Sequence, residues 1–266
     1  MDQTDQHVLK TAYDAAATTQ EDACCGSGGC AACGDGPAQP AGGVVSKAFK
    51  ANVPDSYGLS CGDPVALAEL AEGETVLDLG SGSGRDVFSA ARLVGTRGRV
   101  IGVDFSASML ELAREREQDF REESGLANTE FREGNIADLP LFNASADVVI
   151  ANCVINLCPD RIAVFREALR VLHPGGRLVL SDLVLEDDPG KTQLAGNTDA
   201  SAAYATALSC EAYIEAVREA GFTDVQVLRL QRYQDGQACG DPVTSGIQEL
   251  LLRSAASLSL SARRPL

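Results

Sequence analysis

The chain has 266 residues, 45% of them hydrophobic, and a formal charge of −16 from 38 acidic and 22 basic residues. That length holds one α/β domain of ordinary size with appendages, and the apolar fraction is enough for a real core. An acidic field repels phosphate backbones, no apolar run approaches about 18 residues, and the start Met-Asp-Gln-Thr-Asp lacks the regions of a secretory signal, so a cytoplasmic protein with neither nucleic-acid nor membrane partners is expected.

In chain order, residues 7–20 are predicted to form a short helix with Val8, Leu9, Ala12 and Tyr13 on one face. Residues 22–43 have the composition of a loop, rich in Gly, Ala and Cys and carrying Pro37 and Pro40. The nine cysteines are many for a reducing compartment, where thiols serve metal or redox chemistry or simply pack as small apolar groups. Cys30-x-x-Cys33 has the spacing of a zinc knuckle or a redox pair, and Cys24 or Cys25 would complete a four-thiolate zinc set; a thiol tail without metal is an equal reading. Cys61 follows on a turn-rich loop, then Asp63 and Pro64 as cap and first residue of a helix reaching Leu70.

The next stretch organises the rest. Thr75-Val-Leu-Asp-Leu-Gly-Ser-Gly-Ser-Gly-Arg85 reads as a buried strand entering a glycine turn and a helix. Strands and helices then alternate: strand 76–79, helix 86–94, strand 99–103, helix 107–123, strand 129–132, strand 147–151, helix 160–172 and strand 177–182. Such alternation implies a doubly wound, mostly parallel sheet with helices on both faces, with ligands beyond the carboxyl ends of the strands. Gly80, Asp104, Asn135, Asn152, Cys153 and Asp182 fall at those ends. A helix over 210–220, capped by Ser209, and strands 224–230 and 257–263 close the chain. The expected organisation is a Cys/Gly-rich segment 1–45, a cofactor-binding domain 46–185 and a small C-terminal α+β substrate region 186–266.

A dinucleotide site expects G-x-G-x-x-G, but Arg85 stands where the third glycine should be. The whole set, Val-Leu-Asp78-Leu-Gly80-Ser81-Gly82, Val-Asp104-Phe105, Gly-Asn135-Ile136 and Pro174-Gly-Gly, instead resembles the seven-strand, Rossmann-like S-adenosylmethionine-dependent methyltransferases. The resemblance covers about residues 74–182 and implies that the turn at Gly80, Ser81 and Gly82 cradles the methionine part of S-adenosylmethionine. It further implies that Asp78 anchors the turn, Asp104 binds the ribose hydroxyls, and Phe105, Asn135 and Ile136 flank the adenine, with Asn152 also on the cofactor.

The methyl acceptor has to be read from what stands at the reactive end. A hydroxyl or amine acceptor calls for a general base, yet the histidines are His7, in the tail, and His173, beside the Pro-Gly-Gly turn. Cysteines converge there instead, Cys153 after the fourth strand and Cys61 on the entering loop. Thiolates hold soft centres, and trivalent arsenic so held keeps a lone pair that accepts a methyl group with no base. Gly-Leu-Ser-Cys61-Gly-Asp-Pro, Asn152-Cys-Val-Ile-Asn-Leu157, the Cys-Cys-rich tail and the segment from Ala207 to Phe222 resemble the arsenite methyltransferases. That resemblance implies Cys61 and Cys153 as catalytic, arsenic-binding residues, Tyr13 and Tyr57 beside the cofactor, and a small-thiol or thioredoxin-type reductant to reset the oxidised arsenic. The family's third thiolate falls on Ala203; Cys210, seven residues on, Cys158 and the tail cysteines are the substitutes. The other readings are a different small-molecule or chalcogen acceptor, and a non-catalytic metalloid- or zinc-binding module.

Overall fold

The computed structural model describes residues 62–185, 207–232 and 255–266. The predicted helix over 7–20 and the cysteines at 24, 25, 30, 33, 61 and 239 lie outside them, as does Ala203.

Seven strands form one sheet: β1 (Thr75–Leu79), β2 (Arg99–Asp104), β3 (Thr129–Glu133), β4 (Ala146–Asn152), β5 (Leu172–Leu185), β6 (Thr223–Arg232) and β7 (Ala255–Arg263). Their spatial order is β3-β2-β1-β4-β5-β7-β6. The pairs from β3 to β5 are parallel, and β7 runs antiparallel between β5 and β6, so the sheet is mixed but mostly parallel, as the alternation predicts. The helices are α1 (Pro64–Leu67), α2 (Arg85–Val94), α3 (Ala107–Ser124), α4 (Arg161–Val171) and α5 (Cys210–Glu219), with a 3-10 turn at Ile155–Leu157. Among the described residues, no helix is long and apolar enough to cross a membrane.

Side chains alternate across each strand, and the apolar runs therefore feed two cores. Val76, Val100, Val148, Ile150 and Val179 join Val87, Phe88 and Phe120 on one face, while Leu77, Leu79, Val103, Val149, Leu178 and Leu180 join Phe165 and Tyr213 on the other. In β1 this puts Asp78 on the face shared with Val76, in phase with α2.

Boundaries differ from the expectation most clearly at the end of α1 and at both ends of β5, which begins at Leu172 and so takes in the expected Pro-Gly-Gly turn. Helix α1 begins as predicted, with the Asp63 carboxylate accepting from the Ala66 N–H (3.0 Å), but ends at Leu67 rather than Leu70. Glu69 takes a positive φ of 49°, and the Arg177 guanidinium donates to the freed carbonyls of Ala68 (2.8 Å) and Glu69 (3.0 Å). The same guanidinium grips both oxygens of Glu74 at 2.7 and 2.8 Å. Burial alone would raise the Glu74 carboxyl, yet the Arg177 bonds hold it below its ordinary value. Strand β5 also continues past 182, because antiparallel pairing with β7 runs on to Leu185 opposite Ala255.

Candidate active site

The glycine turn follows directly from β1. The N–H groups of Gly80 and Ser81 both donate to the Val103 carbonyl (2.8 and 3.1 Å), hanging the turn on the end of β2. Gly80, Gly82 and Gly84 have φ of 66°, 51° and 89°, a left-handed region costly to other residues. The three serve different ends. A Cβ at Gly80 would lie 2.8 Å from Cβ of Val154, on the loop after β4. One at Gly84 would strike Phe131 (2.7 Å) and Phe88 (2.8 Å) beneath the turn, whereas one at Gly82 would meet nothing within 4 Å. Gly82 thus faces open space, where a ligand can approach the backbone.

Asp104 helps to hold this shape: its carboxylate accepts from the Gly82 N–H (2.8 Å) and the Ser106 N–H (2.9 Å). Ser81 is turned inward, its hydroxyl buried against Gly102 with no hydrogen-bond partner among the described residues. Asn135 shapes the turn after β3, its side chain accepting from the Ala137 N–H (2.9 Å). Ile136 beside it is buried in the core cluster with Leu77 and Leu139, and Phe105 is half-buried at the end of β2.

The charge around the turn is mainly negative. Burial, then the Asp86 and Asp104 carboxylates, push the Asp78 carboxyl well above its ordinary value, and Arg85 partly offsets them. Arg85 also pairs with Asp86 at 3.0 Å. The Asp86 and Asp104 carboxylates beside an open glycine backbone suit a ligand with positive charge. A sulfonium-ammonium cofactor carries that charge, so the residues present fit S-adenosylmethionine.

The acceptor side begins one residue beyond β4. Cys153 has a positive φ of 55°, and its N–H donates to the Ser181 carbonyl at 2.9 Å. Cys153 is disulfide-bonded, whereas Cys158 and Cys210 carry free thiols. Burial pushes the Cys158 thiol up to about 11, which leaves it protonated at neutral pH and poor as a ligand. Cys210 stands at the first position of α5, half-buried against the core.

Below the Cys153 loop lies a buried polar cluster that the sequence did not announce as a unit. Asp182, 3% exposed, accepts from the Asn156 N–H (3.1 Å), the Asn156 amide (3.0 Å), the Leu183 N–H (2.8 Å) and the Tyr213 hydroxyl (3.0 Å). Arg161 closes the cluster from α4, donating to the side-chain and backbone oxygens of Asn156, both at 3.3 Å. Burial raises the Asp182 carboxyl to about 6, against the lowering pull of those bonds. The loop, β5 and α5 are thereby tied together through one carboxylate. Asn152 makes a second tie, its amide donating to the Gly62 carbonyl (3.0 Å) and the Asp86 carboxylate (2.9 Å). Cys61, Tyr13 and Tyr57 lie outside the described residues.

A family model described as a methyltransferase domain matches residues 70–232. An arsenite methyltransferase of Halobacterium salinarum is 43% identical over 189 residues, which is 67% of this chain and 47% of that protein. Another, from Aquipseudomonas alcaligenes, is 50% identical over 43% of this chain and 34% of its own length. The chain therefore spans less than half the length of these curated relatives. The crystal structure of an arsenic(III) S-adenosylmethionine methyltransferase from Chlamydomonas reinhardtii superposes with a TM-score of 0.64 at 34% identity, covering 82% of this chain and 72% of that one.

Proposed function

We propose that this chain, which belongs to the methyltransferase-domain family and is related within it to the arsenite methyltransferases, methylates trivalent arsenic held by the thiolates of Cys61 and Cys153. The observation that carries the reading is the contact between the two halves of the site. Val154 rests on Gly80 of the cofactor turn, and the residue before it is Cys153. A thiolate at 153 therefore borders the place where a methyl donor would sit.

When bound, the cofactor supplies an electrophilic methyl group. The chain's part is to hold it and to present the acceptor. The Gly80–Gly84 turn, fixed by Val103 and Asp104, offers backbone at close range, and the Asp86 and Asp104 carboxylates complement its charge. Once the small thiols have reduced the disulfide at Cys153, two thiolates hold arsenic with its lone pair free. That pair forms the new arsenic–carbon bond while the departing carbon–sulfur pair stays on sulfur, so no base is required. Arsenic is formally oxidised by two electrons, and a dithiol or two small thiols restore it by forming a disulfide. With Ala203 where the family's third thiolate stands, methylarsenite, which needs only two protein thiolates, is the preferred substrate over arsenite. Cys210 is the remaining candidate for a third. The acidic chain acts in the cytoplasm, and the Cys24, Cys25, Cys30 and Cys33 group is a candidate zinc site in the tail.

The test is to supply purified protein with S-adenosylmethionine, glutathione and either arsenical, and to look for methylated products by mass spectrometry. No methylarsenical would sink the proposal. Turnover of an organic acceptor that survives Cys61→Ser and Cys153→Ser would replace it with the other methyltransferase reading.

A further inference from the structure

We propose that Asn152 is a positioning residue for the acceptor thiolates, not a cofactor contact: its carboxamide registers the chain beside Cys61 against the cofactor helix and the Cys153 loop. The inference rests on the reading of Cys61 and Cys153 as arsenic ligands and deepens it.

A carboxamide nitrogen carries two hydrogens. In Asn152 one goes to the Gly62 carbonyl, 90 residues away in sequence, and the other to Asp86, 66 residues away in the first turn of α2. Both donors are therefore spent on the protein. The bridge joins the sequence neighbours of the two cysteines: Gly62 follows Cys61 in the chain, and Asn152 precedes Cys153. Adjacent Cα atoms are about 3.8 Å apart across a trans peptide, so fixing Gly62 and Asn152 fixes the residues covalently next to the two cysteines.

A second contact points the same way. A Cβ at Gly62 would fall 2.6 Å from Oγ and 2.7 Å from Cβ of Ser181, so the chain lies flat on that serine. The Ser181 carbonyl accepts from the Cys153 N–H (2.9 Å), and its hydroxyl pairs with that of Ser259 (2.8 Å) on β7. The segment leaving Cys61 and the segment carrying Cys153 thus meet on one residue of β5, with Asn152 spanning them. Two thiolates close on one arsenic atom only if their separation is set beforehand, and misregistration lowers the effective concentration of the second thiolate.

The test uses the full chain, reduced with a phosphine, and three variants: Asp86→Asn, Asn152→Asp, and the double Asn152→Asp/Asp86→Asn. Asp86→Asn keeps an oxygen to accept from Asn152 and serves as the reference for any change in cofactor affinity. The double variant restores the bond between 152 and 86 with its polarity reversed, but leaves the Gly62 carbonyl without its donor. Calorimetry gives the affinity for S-adenosylmethionine and, separately, for phenylarsine oxide, a probe that two thiolates bind. Relative to Asp86→Asn, the double variant is expected to keep its cofactor affinity while losing about tenfold in phenylarsine oxide affinity, the scale of one buried group left unpaired. The KM for methylarsenite should rise more than kcat falls. Equal arsenical affinity in the double variant and Asp86→Asn would overturn the assignment, as would a loss confined to cofactor affinity. Wild-type protein that binds no phenylarsine oxide would instead overturn the arsenic reading on which the assignment rests. Asn152→Asp alone, with a carboxylate against Asp86, should lose both affinities; if it retains both, the bridge has no role.

Discussion

The two halves of the site are held by different means. On the cofactor side the backbone does the holding: Gly80 and Ser81 hang from Val103, Gly82 is fixed by Asp104, and Gly84 lies over Phe88 and Phe131. On the acceptor side the holding is done by side chains, through Asp182 with Asn156 and Tyr213, and through Asn152 with Gly62 and Asp86. A backbone-built site tolerates changes of residue type except where a Cβ is forbidden. A site built from buried polar side chains fails wherever one partner is removed, because the others are left unsatisfied. The cofactor half is accordingly general, and the acceptor half is where a chemistry can be specified.

The sharpest way to break this contrast is Asp182→Ala. It strips the acceptor from three groups on two other elements, and at about 1–3 kcal/mol for each unsatisfied donor the expected loss of stability is roughly 3 kcal/mol or more. At about 2–4 °C per kcal/mol for a chain of this size, thermal melting should drop by roughly 10 °C. A smaller drop than that of Gly84→Ala would mean that the network is peripheral.

Gly84→Ala comes next. It combines left-handed strain of about 1–2 kcal/mol with overpacking of about 1–3 kcal/mol against Phe131 and Phe88, so denaturant midpoints should shift clearly. Gly82→Ala meets no neighbour and carries the strain alone, about 1–2 kcal/mol, but it puts a methyl group where the cofactor would lie. Calorimetric affinity for S-adenosylmethionine should fall by about tenfold or more while melting drops by only about 5 °C. Equal stability losses at 82 and 84 would erase the distinction between a glycine kept for approach and one kept for packing.

The smallest effect is one of pH. The Asp182 carboxyl titrates at about 6 in the folded protein against an ordinary value of 3.8, so the native state holds its proton more tightly than the unfolded chain does. This contribution is fully present below 3.8 and is lost as pH rises through about 6. Urea midpoints of the wild type should therefore fall relative to those of Asp182→Asn as pH is raised through that window. Parallel profiles would show that the carboxyl is not the titrating group.

How much of this could be read beforehand follows from sequence separation. The strands and helices of residues 75–185 are local patterns with local caps, and the glycine turn is contiguous, so the fold and the turn itself were legible. Ser81 shows the limit even there, since its place in the motif does not say that the turn rotates its hydroxyl inward onto Gly102. Asp104, read as a ribose ligand, also bonds Gly82, which no spacing rule reveals. On the acceptor side, the partners of Asn152 are 90 and 66 residues away and Tyr213 is 31 residues from Asp182. Contacts at that range leave no periodic trace. Cys153 was visible because its own position at the end of a strand is local; what steadies it was not.

One earlier contact bears on how such proteins can diverge. Val154 sits against Gly80, so the glycine turn proposed to receive the methyl donor and the loop proposed to present its acceptor share a wall. Enlarging either residue intrudes on the other, and the positive φ at Gly80 bars compensation there by any larger residue. Substrate range must therefore be explored from elsewhere, by exchanging segments that reach the loop from its far side. A library that varies Leu157 and Cys158 while fixing 153–156 would keep the donor end, the arsenic ligand and the Asp182 network intact while sampling acceptors.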